Sequence, residues 1–309
     1  MKLLDESIVA AEEIDSLGHM NVRYYMQRME RANRALLHDL GARDDLFDSH
    51  FLQRADVYTR FRNEQFEGAR LHALGGVLGL DGQTLRTYVE IRNPDTQESA
   101  ASFIVASTLI DAATRKPEPL SVEAPANAVE IPTYAQPRSL TLDPINVSVT
   151  LEELADRIPE IEGGGMMSGR RSTVIEADDV DAHGWLKPEI ELLFLPFSKF
   201  SPQQQQNQQG PPIFKSAEGH RIAWAIMETR NLVLGTPRLG AHLSYFNCDI
   251  AMTDKSRHSR RWAFDSASGE LLGTSDSIGL CIDLDERRAV VWPDELRQTI
   301  AANLQPELA

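Results

Sequence analysis

The sequence predicts an α+β chain in which one long amphipathic helix lies on an antiparallel sheet, and in which that unit occurs twice. Three observations carry this. Val22, Tyr25, Met26, Met29, Asn33, Leu36, Leu37 and Leu40 recur at three- and four-residue steps, while Arg23, Gln27, Arg28, Glu30, Arg31 and Arg34 fill the opposite face. Strand-like runs punctuated by turn dipeptides follow that helix. Segments of the first half then find counterparts in the second at an offset that drifts only from 166 to 172 residues.

In chain order, Ser7 to Ala10 read as a short strand leading to a polar cluster, Asp15, Ser16, Gly18, His19 and Asn21, at the mouth of the helix. Asp15, Ser16 and Asn21 all favour helix starts, and Gly41 follows the last apolar position as a C-terminal stop. After a polar connection over Arg43 to Ser49, strands are expected at Ala55 to Phe61, Ala69 to Leu80, Thr84 to Arg92 and Ser99 to Ile110. Asp81-Gly82 and Asn93-Pro94-Asp95 mark the hairpin turns. These elements make a first domain over residues 1–115. Residues 116–165 are broken by Pro117, Pro119, Pro125, Pro132, Pro137, Pro144 and Pro159 and read as a connector packed along the surface.

The second domain spans 166–300. Asp181 to Trp185 falls where Asp15 to His19 fell, at an offset of 166; Thr229-Arg230 matches Thr59-Arg60 at 170; Glu270, Asp283 and Arg287 match Glu98, Asp111 and Arg115 at 172. Inside it, the glutamine-rich tract at 201–212 cannot bury a core and reads as a loop.

Composition narrows the function. With 42% apolar and 25% charged residues the chain is globular, and it contains neither a signal-peptide run nor eighteen uncharged apolar residues in a row, so a cytoplasmic protein without a membrane span is expected. A formal charge of -15 argues against nucleic acid. Cys248 and Cys281, far apart on strand-like segments, indicate neither a disulfide framework nor a metal site. No cofactor or metal is expected, since Walker, dinucleotide, H-E-x-x-H and paired-cysteine motifs are all missing, as is the G-x-S-x-G of serine hydrolases.

What remains is the polar cluster. A helix N-terminus carries unpaired N–H groups and partial positive charge, which suits a carbonyl oxygen developing negative charge, and a carboxylate beside it can activate water. Asp15 and Asn21 read as simple caps, with His19 a turn histidine, is the structural alternative to that chemistry.

Asp15, Gly18, His19 and Asn21, followed by Tyr24 and Tyr25, resemble the D-x-x-G-H-x-N-x-x-Y signature of hotdog-fold thioesterases related to 4-hydroxybenzoyl-CoA thioesterase. The resemblance implies two tandem hotdog units, each a long central helix wrapped by a curved antiparallel sheet, paired as an internal pseudo-dimer with sites at the interface. It implies hydrolysis of an acyl thioester, with coenzyme A entering only as part of the substrate. Asp15 would be general base or nucleophile, Gly18 and His19 would polarise the carbonyl, His19 and Asn21 would orient the reacting groups, and Tyr24 would contact substrate. The matching positions of the second unit are Asp181, Trp185 and Lys187, with His183 two places away, so that copy departs from the pattern and reads as degenerate. One working site at Asp15, walled by the second half, is the expectation.

For the coenzyme A tail the candidates are Arg257, Arg260 and Arg261, with Lys255 and His258, read as a hairpin tip; Arg54, Arg60, Arg62 and Arg70 are equally open. Two other readings stand. Hotdog folds also host acyl-thioester hydratases and dehydratases, whose usual motif places histidine five residues after aspartate with asparagine and proline between; the step here is four, without proline. A non-catalytic acyl-thioester-binding protein is the second. Tandem hotdogs of plant acyl-carrier-protein thioesterases carry a similar constellation in their other half, so the carrier stays open, as do the acyl group and a homodimer of double hotdogs.

Overall fold

A computed structural model describes residues 1–15, 17–43, 45–120, 128–143, 149–158, 169–188, 190–195, 213–216 and 219–309. The chain divides into two units, Met1–Arg138 and Ser139–Ala309. Both are built on antiparallel sheet, with few helices, as a hotdog fold requires.

Unit 1 contains β1 (Lys2–Ile8), α1 (Val22–Asp39), α2 (Leu46–Ser49), β2 (His50–Phe61), β3 (Arg70–Asp81), β4 (Thr84–Arg92), β5 (Ser99–Asp111) and the short β6 (Pro117–Glu118). The sheet order is β1-β3-β4-β5-β2, all antiparallel. The first strand starts earlier than its β-branched run suggests, at Lys2, and the polar connection after the helix folds its last residues into α2. Asp81 pairs with Thr84 across a two-residue turn in which Gly82 takes φ +57°, the left-handed geometry such hairpins need.

Helix α1 lies on one face of this sheet. Tyr25, Met29 and Ala32 bury against Val57, Leu71, Ala73, Val89, Phe103 and Val105, all from that face. Asn21 caps the helix, its side chain accepting from the Arg23 N–H at 3.1 Å, and Gly41 follows it with φ +88°. Two positions differ from the helical pattern: Val22 is exposed, and Arg28, on the polar face by spacing, is only 2% exposed. A carboxylate explains the second. Arg28 forms a forked pair with Glu13 (2.7 and 3.2 Å) and also donates to Ser7 Oγ and to the carbonyls of Ile8 and Tyr24.

Unit 2 contains α3 (Leu151–Arg157), β7 (Gly169–Val174), β8 (Phe214–Lys215), β9 (Arg221–Val233), β10 (His242–Met252), β11 (Ser256–Asp265), β12 (Leu271–Asp283), β13 (Arg288–Ala289) and α4 (Asp294–Ala302). Its order, β7-β10-β11-β12-β9, repeats that of unit 1. Register repeats as well. The row Gly75, Val89, Phe103, Thr59 becomes Asn247, Arg261, Ser275, Asn231, each displaced by 172. Three bulges recur at that displacement: Val77/Gly79 as Asp249/Ala251, Ile91/Arg92 as Ala263/Phe264, and Ala106/Ser107 as Ile278/Gly279. A bulge inserts one unpaired residue, so three in register are a strong mark of common construction. Arg115 and Arg287 even share positive φ, at 58° and 53°. The Thr229-Arg230 match at 170 is a coincidence, because the ladder places Asn231 at the position of Thr59.

Between β7 and β9 the helical elements among the described residues are the short turns at Ala177–Asp179 and Leu192–Phe194. The glutamine-rich tract at 201–212 lies outside the described residues, as does Ser16. The proline-rich segment divides between the units. Its first part packs on unit 1, with the Val129 N–H bonded to the Val77 carbonyl at 2.8 Å and Tyr134 donating to Glu90 at 2.7 Å. Its second part packs on unit 2, where the N–H groups of Ser139 and Leu140 meet Glu228 and α3 covers Phe246, Trp262 and Phe264. At the C-terminus α4 and the residues after it belong to unit 2, and Leu304 bridges to Asp249.

Candidate active site

The Asp15 cluster forms a closed turn before α1 rather than the first turn of the helix. Ile14 and Met20 bridge as an antiparallel pair, the Asp15 N–H donates to the His19 carbonyl (2.9 Å), and Gly18, at φ +83°, donates to the Asp15 carbonyl (3.0 Å). Gly18 therefore forms the turn, and its N–H is already spent. That changes its expected part in polarising a carbonyl. The Asn21 N–H reaches the Glu13 carbonyl, and the Met20 N–H reaches the Gln65 carbonyl at 2.7 Å.

This last bond ties the turn to the loop after β2 and brings in a residue that spacing did not indicate. His19 sits between two carboxylates: its Nδ1 is 3.6 Å from Asp15 Oδ2 and its Nε2 is 3.6 Å from Glu64 Oε1. All three side chains are partly exposed, at 21% for Asp15, 15% for His19 and 32% for Glu64, so they are reachable by a substrate. Asp15 Oδ1 accepts from the Leu17 N–H at 2.9 Å, which leaves Oδ2 facing the imidazole. Tyr25 joins the same group. Burial and the charges of Glu64 and Asp15 push its hydroxyl well above the ordinary tyrosine range, and its ring meets Phe61 edge-on at 5.7 Å. Tyr24, the tyrosine the motif selects, donates instead to the Glu12 carbonyl at 3.0 Å beneath the Arg23 guanidinium.

The second turn has the same backbone and different chemistry. Val180 bridges Leu186, and the Asp181 N–H donates to the Trp185 carbonyl (2.9 Å). Asp181 Oδ1 accepts from the N–H groups of both His183 (2.9 Å) and Trp185 (3.2 Å). The indole of Trp185 lies under Arg238 at 4.0 Å, Lys187 donates to the Asp178 carbonyl, and His183 is exposed. The Leu186 N–H reaches the Pro237 carbonyl, as Met20 reaches Gln65, so Thr236 stands where Glu64 stands. Histidine, asparagine and glutamate are thus all replaced around a conserved turn geometry.

The basic cluster is not a hairpin tip. The turn between β10 and β11 carries Lys255, whereas Arg257 and Arg260 are 7% and 9% exposed within β11. Strand alternation then separates them. Arg260 pairs with Asp276 at 2.9 Å beside His258, and Arg257 and Arg261 project to the opposite face. The other cation candidates are committed internally: Arg54 to Glu30, Arg60 and Arg62 to the Tyr134 carbonyl, and Arg70 to Asp95. Cys248 and Cys281 are buried free thiols. Among the described residues, His50, Asp111 and Glu118, and likewise His220, Asp283 and Glu286, bring donor atoms within 4.8 Å of one another, but Asp111 and Asp283 already accept hydrogen bonds from their own turns.

Residues 9–132 match the thioesterase-like superfamily. The chain is similar in structure to an acyl-ACP thioesterase from Bacteroides thetaiotaomicron (12% identity, 89% of this chain and 96% of that one, TM-score 0.57). It is also similar to a 12:0-ACP thioesterase from Umbellularia californica (9% identity, 90% and 93%, TM-score 0.58). At these identities the likeness is one of fold. No curated protein matches the sequence. No helix among the described residues is long and apolar enough to cross a membrane.

Proposed function

We infer that this protein, whose residues 9–132 belong to the thioesterase-like superfamily, is a thioester hydrolase that works through Asp15 in unit 1 and releases a free acid and a thiol. The observation that carries the reading is the placement of His19 between Asp15 and Glu64, in a turn whose copy in unit 2 has lost the imidazole, the amide and the second carboxylate. A structural turn would have no reason to keep that set in one copy alone.

Asp15 either deprotonates a water or attacks the acyl carbon to give a mixed anhydride. In both routes the carbonyl oxygen gains charge near the start of α1, whose dipole favours it. The thiolate leaves unaided, since a thiol of pKa about 8.5 needs no strong acid. His19 and Asn21 position the carboxylate, and Glu64 holds the imidazole from its other side.

The tandem hotdog architecture, with the two copies as an internal pseudo-dimer, is part of the same proposal and is supported by the common register and bulges. An acyl-CoA ester is the first substrate to try. An acyl carrier protein is the second, because two of the similar structures covered over nearly their whole length are named as acyl-ACP thioesterases.

The test is thiol release from a panel of acyl-CoA and acyl-carrier-protein esters by wild type, Asp15→Asn and Asp181→Asn. Removing a general base costs about 10²- to 10⁴-fold. Such a loss in Asp15→Asn alone supports the assignment. Unchanged turnover in Asp15→Asn overturns it, and tight ester binding without turnover by wild type turns the reading to a binding protein.

A further inference from the structure

The common register allows each loop of unit 1 to be set beside its counterpart in unit 2, and around the Asp15 turn the backbone repeats while the side-chain amides do not. The loop after β2 is tied to its sheet by the N–H groups of Arg62 and Asn63, both bonded to the Ala100 carbonyl; Leu234 and Gly235, each displaced by 172, bond in the same way to the Leu272 carbonyl. The hairpin between β4 and β5 closes with the Asn93 N–H on the Glu98 carbonyl, and its copy closes with Asp265 on Glu270, both at 2.9 Å. Gln97 and Gly269 hold matching positions of positive φ, at 60° and 72°.

In unit 1 a chain of amides joins these two loops. Asn93 Nδ2 donates to Gln65 Oε1 at 3.0 Å, Gln65 Nε2 to the Asn63 carbonyl at 3.2 Å, and Asn63 Nδ2 to the Ser99 carbonyl at 2.8 Å. Gln65 and Asn93 are buried, so their polar groups depend on these bonds. The same positions in unit 2 carry Gly235, Pro237 and Asp265, and the chain of amides is gone. Thr236 replaces Glu64 in the same loop.

The hairpin itself does not explain the amide of Asn93. Asn93 Oδ1 accepts from the N–H groups of Asp95 (2.9 Å) and Thr96 (3.3 Å), which shapes the turn. Asp265 Oδ1 does the same with Ala267 (3.0 Å) and Ser268 (2.9 Å). An acceptor is all that the turn requires. Among the described residues the Nδ2 donor, which an aspartate lacks, bonds only Gln65. Gln65 in turn is the residue whose carbonyl receives the Met20 N–H at 2.7 Å, next in the chain to Glu64.

We propose that Asn93 is a positioning residue of the Asp15 site: its amide fixes Gln65, and Gln65 fixes the loop that holds Glu64 3.6 Å from His19. The proposal rests on the reading of the Asp15 turn as an active site. Asn93 touches neither Asp15 nor the reacting atoms and acts only through placement, where an error of about 1 Å costs about 10²-fold in rate.

Two variants test it. Asn93→Asp installs the unit 2 residue, keeping the acceptor of the hairpin and removing the donor; Gln65→Met removes the other half of the pair at similar volume. Each is assayed for kcat and KM in thioester hydrolysis, and for the NMR signals of the His19 ring, assigned by their loss in His19→Gln. In both, kcat should fall about 10- to 100-fold with KM within about twofold of wild type, and the His19 ring signals should move in the direction they move in Glu64→Gln. Where Asn93→Asp does not fold, Gln65→Met decides. If wild type hydrolyses no ester, the hydrolase reading fails by itself and the ring signals alone decide the placement. Unchanged kcat in the folded variants of an active enzyme, or His19 ring signals left at their wild-type positions whatever the rate, overturns the proposal.

Discussion

Glu64 lies 3.6 Å from His19 across the turn that Asp15 opens, and it gets there because the Met20 N–H is bonded to the carbonyl of Gln65, the residue next to it. One backbone hydrogen bond between distant segments thus completes a carboxylate, imidazole, carboxylate row. The equivalent bond survives in unit 2, from Leu186 to Pro237, with Thr236 in place of the glutamate.

Glu64 should therefore matter to rate more than to stability. Glu64→Gln keeps the shape and removes the charge that faces the imidazole. Its kcat for thioester hydrolysis should fall about 10- to 100-fold with Tm within about 2 °C of wild type, a smaller loss than in Asp15→Asn. Wild-type kcat in the variant would show that His19 needs no second carboxylate.

Arg260 belongs to the framework of unit 2. Burial pushes the Asp276 carboxyl up, but the hydrogen bond from His258 and the charge of Arg260 outweigh it and hold Asp276 below the usual carboxylate range. A folded-state pKa below the unfolded value contributes stability that is present above the unfolded pKa, about 3.9, and is lost as pH falls through the folded value. Asp276→Asn should accordingly lower the urea midpoint at pH 7 and converge on wild type as pH falls below the unfolded carboxyl value and through the lowered folded one. Arg260→Ala should also lower the midpoint at pH 7 while leaving KM for acyl-CoA unchanged, and a raised KM at normal stability would return Arg260 to substrate binding.

The helix, the strands, the hairpin turns and the repeat were legible in the sequence because each rests on local periodicity or on paired residues at a fixed offset. Asp15, His19 and Asn21 were legible as a cluster for the same reason, lying within seven consecutive positions of the chain. Glu64 and Tyr25 were not. Glu64 reaches the site through a single long-range hydrogen bond, and Tyr25, though it follows the motif, has the spacing of a core residue alongside Met29, while the motif itself selects Tyr24. Arg257, Arg260 and Arg261 looked like a charged tip because a run of basic residues usually is solvated; here the bulge at Asp249/Ala251 and the strand alternation place them within a sheet, on two faces.

The two cysteines should be inert in the folded protein. Burial, with the Asp249 charge added, pushes the Cys248 thiol up to about 12, and burial alone pushes Cys281 up to about 11. Thiolate is the reacting form, so both should resist a disulfide reagent at pH 8 and react in 6 M guanidinium. Rapid reaction of either in native buffer would show that β10 or β12 opens locally.

Arg28 carries the last prediction, and it separates support of the turn from chemistry in it. Its guanidinium joins α1 to Glu13, to Ser7 and to the carbonyl of Ile8, and the Glu13 carbonyl in turn receives the Asn21 N–H at the foot of the Asp15 turn. Removing one partner of a pair this buried leaves the other uncompensated, at a cost of about 3–5 kcal/mol when both are fully enclosed. Glu13 keeps 14% exposure, so Arg28→Met should lose about 2–3 kcal/mol in urea unfolding. Glu13→Gln/Arg28→Met together should recover part of that loss, since no charge is then stranded. If Arg28 acts through placement of the turn, the single variant should lower kcat while the double variant, with its turn re-formed, regains some of it. Full activity in Arg28→Met at reduced stability would show that the Asp15 turn holds its geometry without this brace.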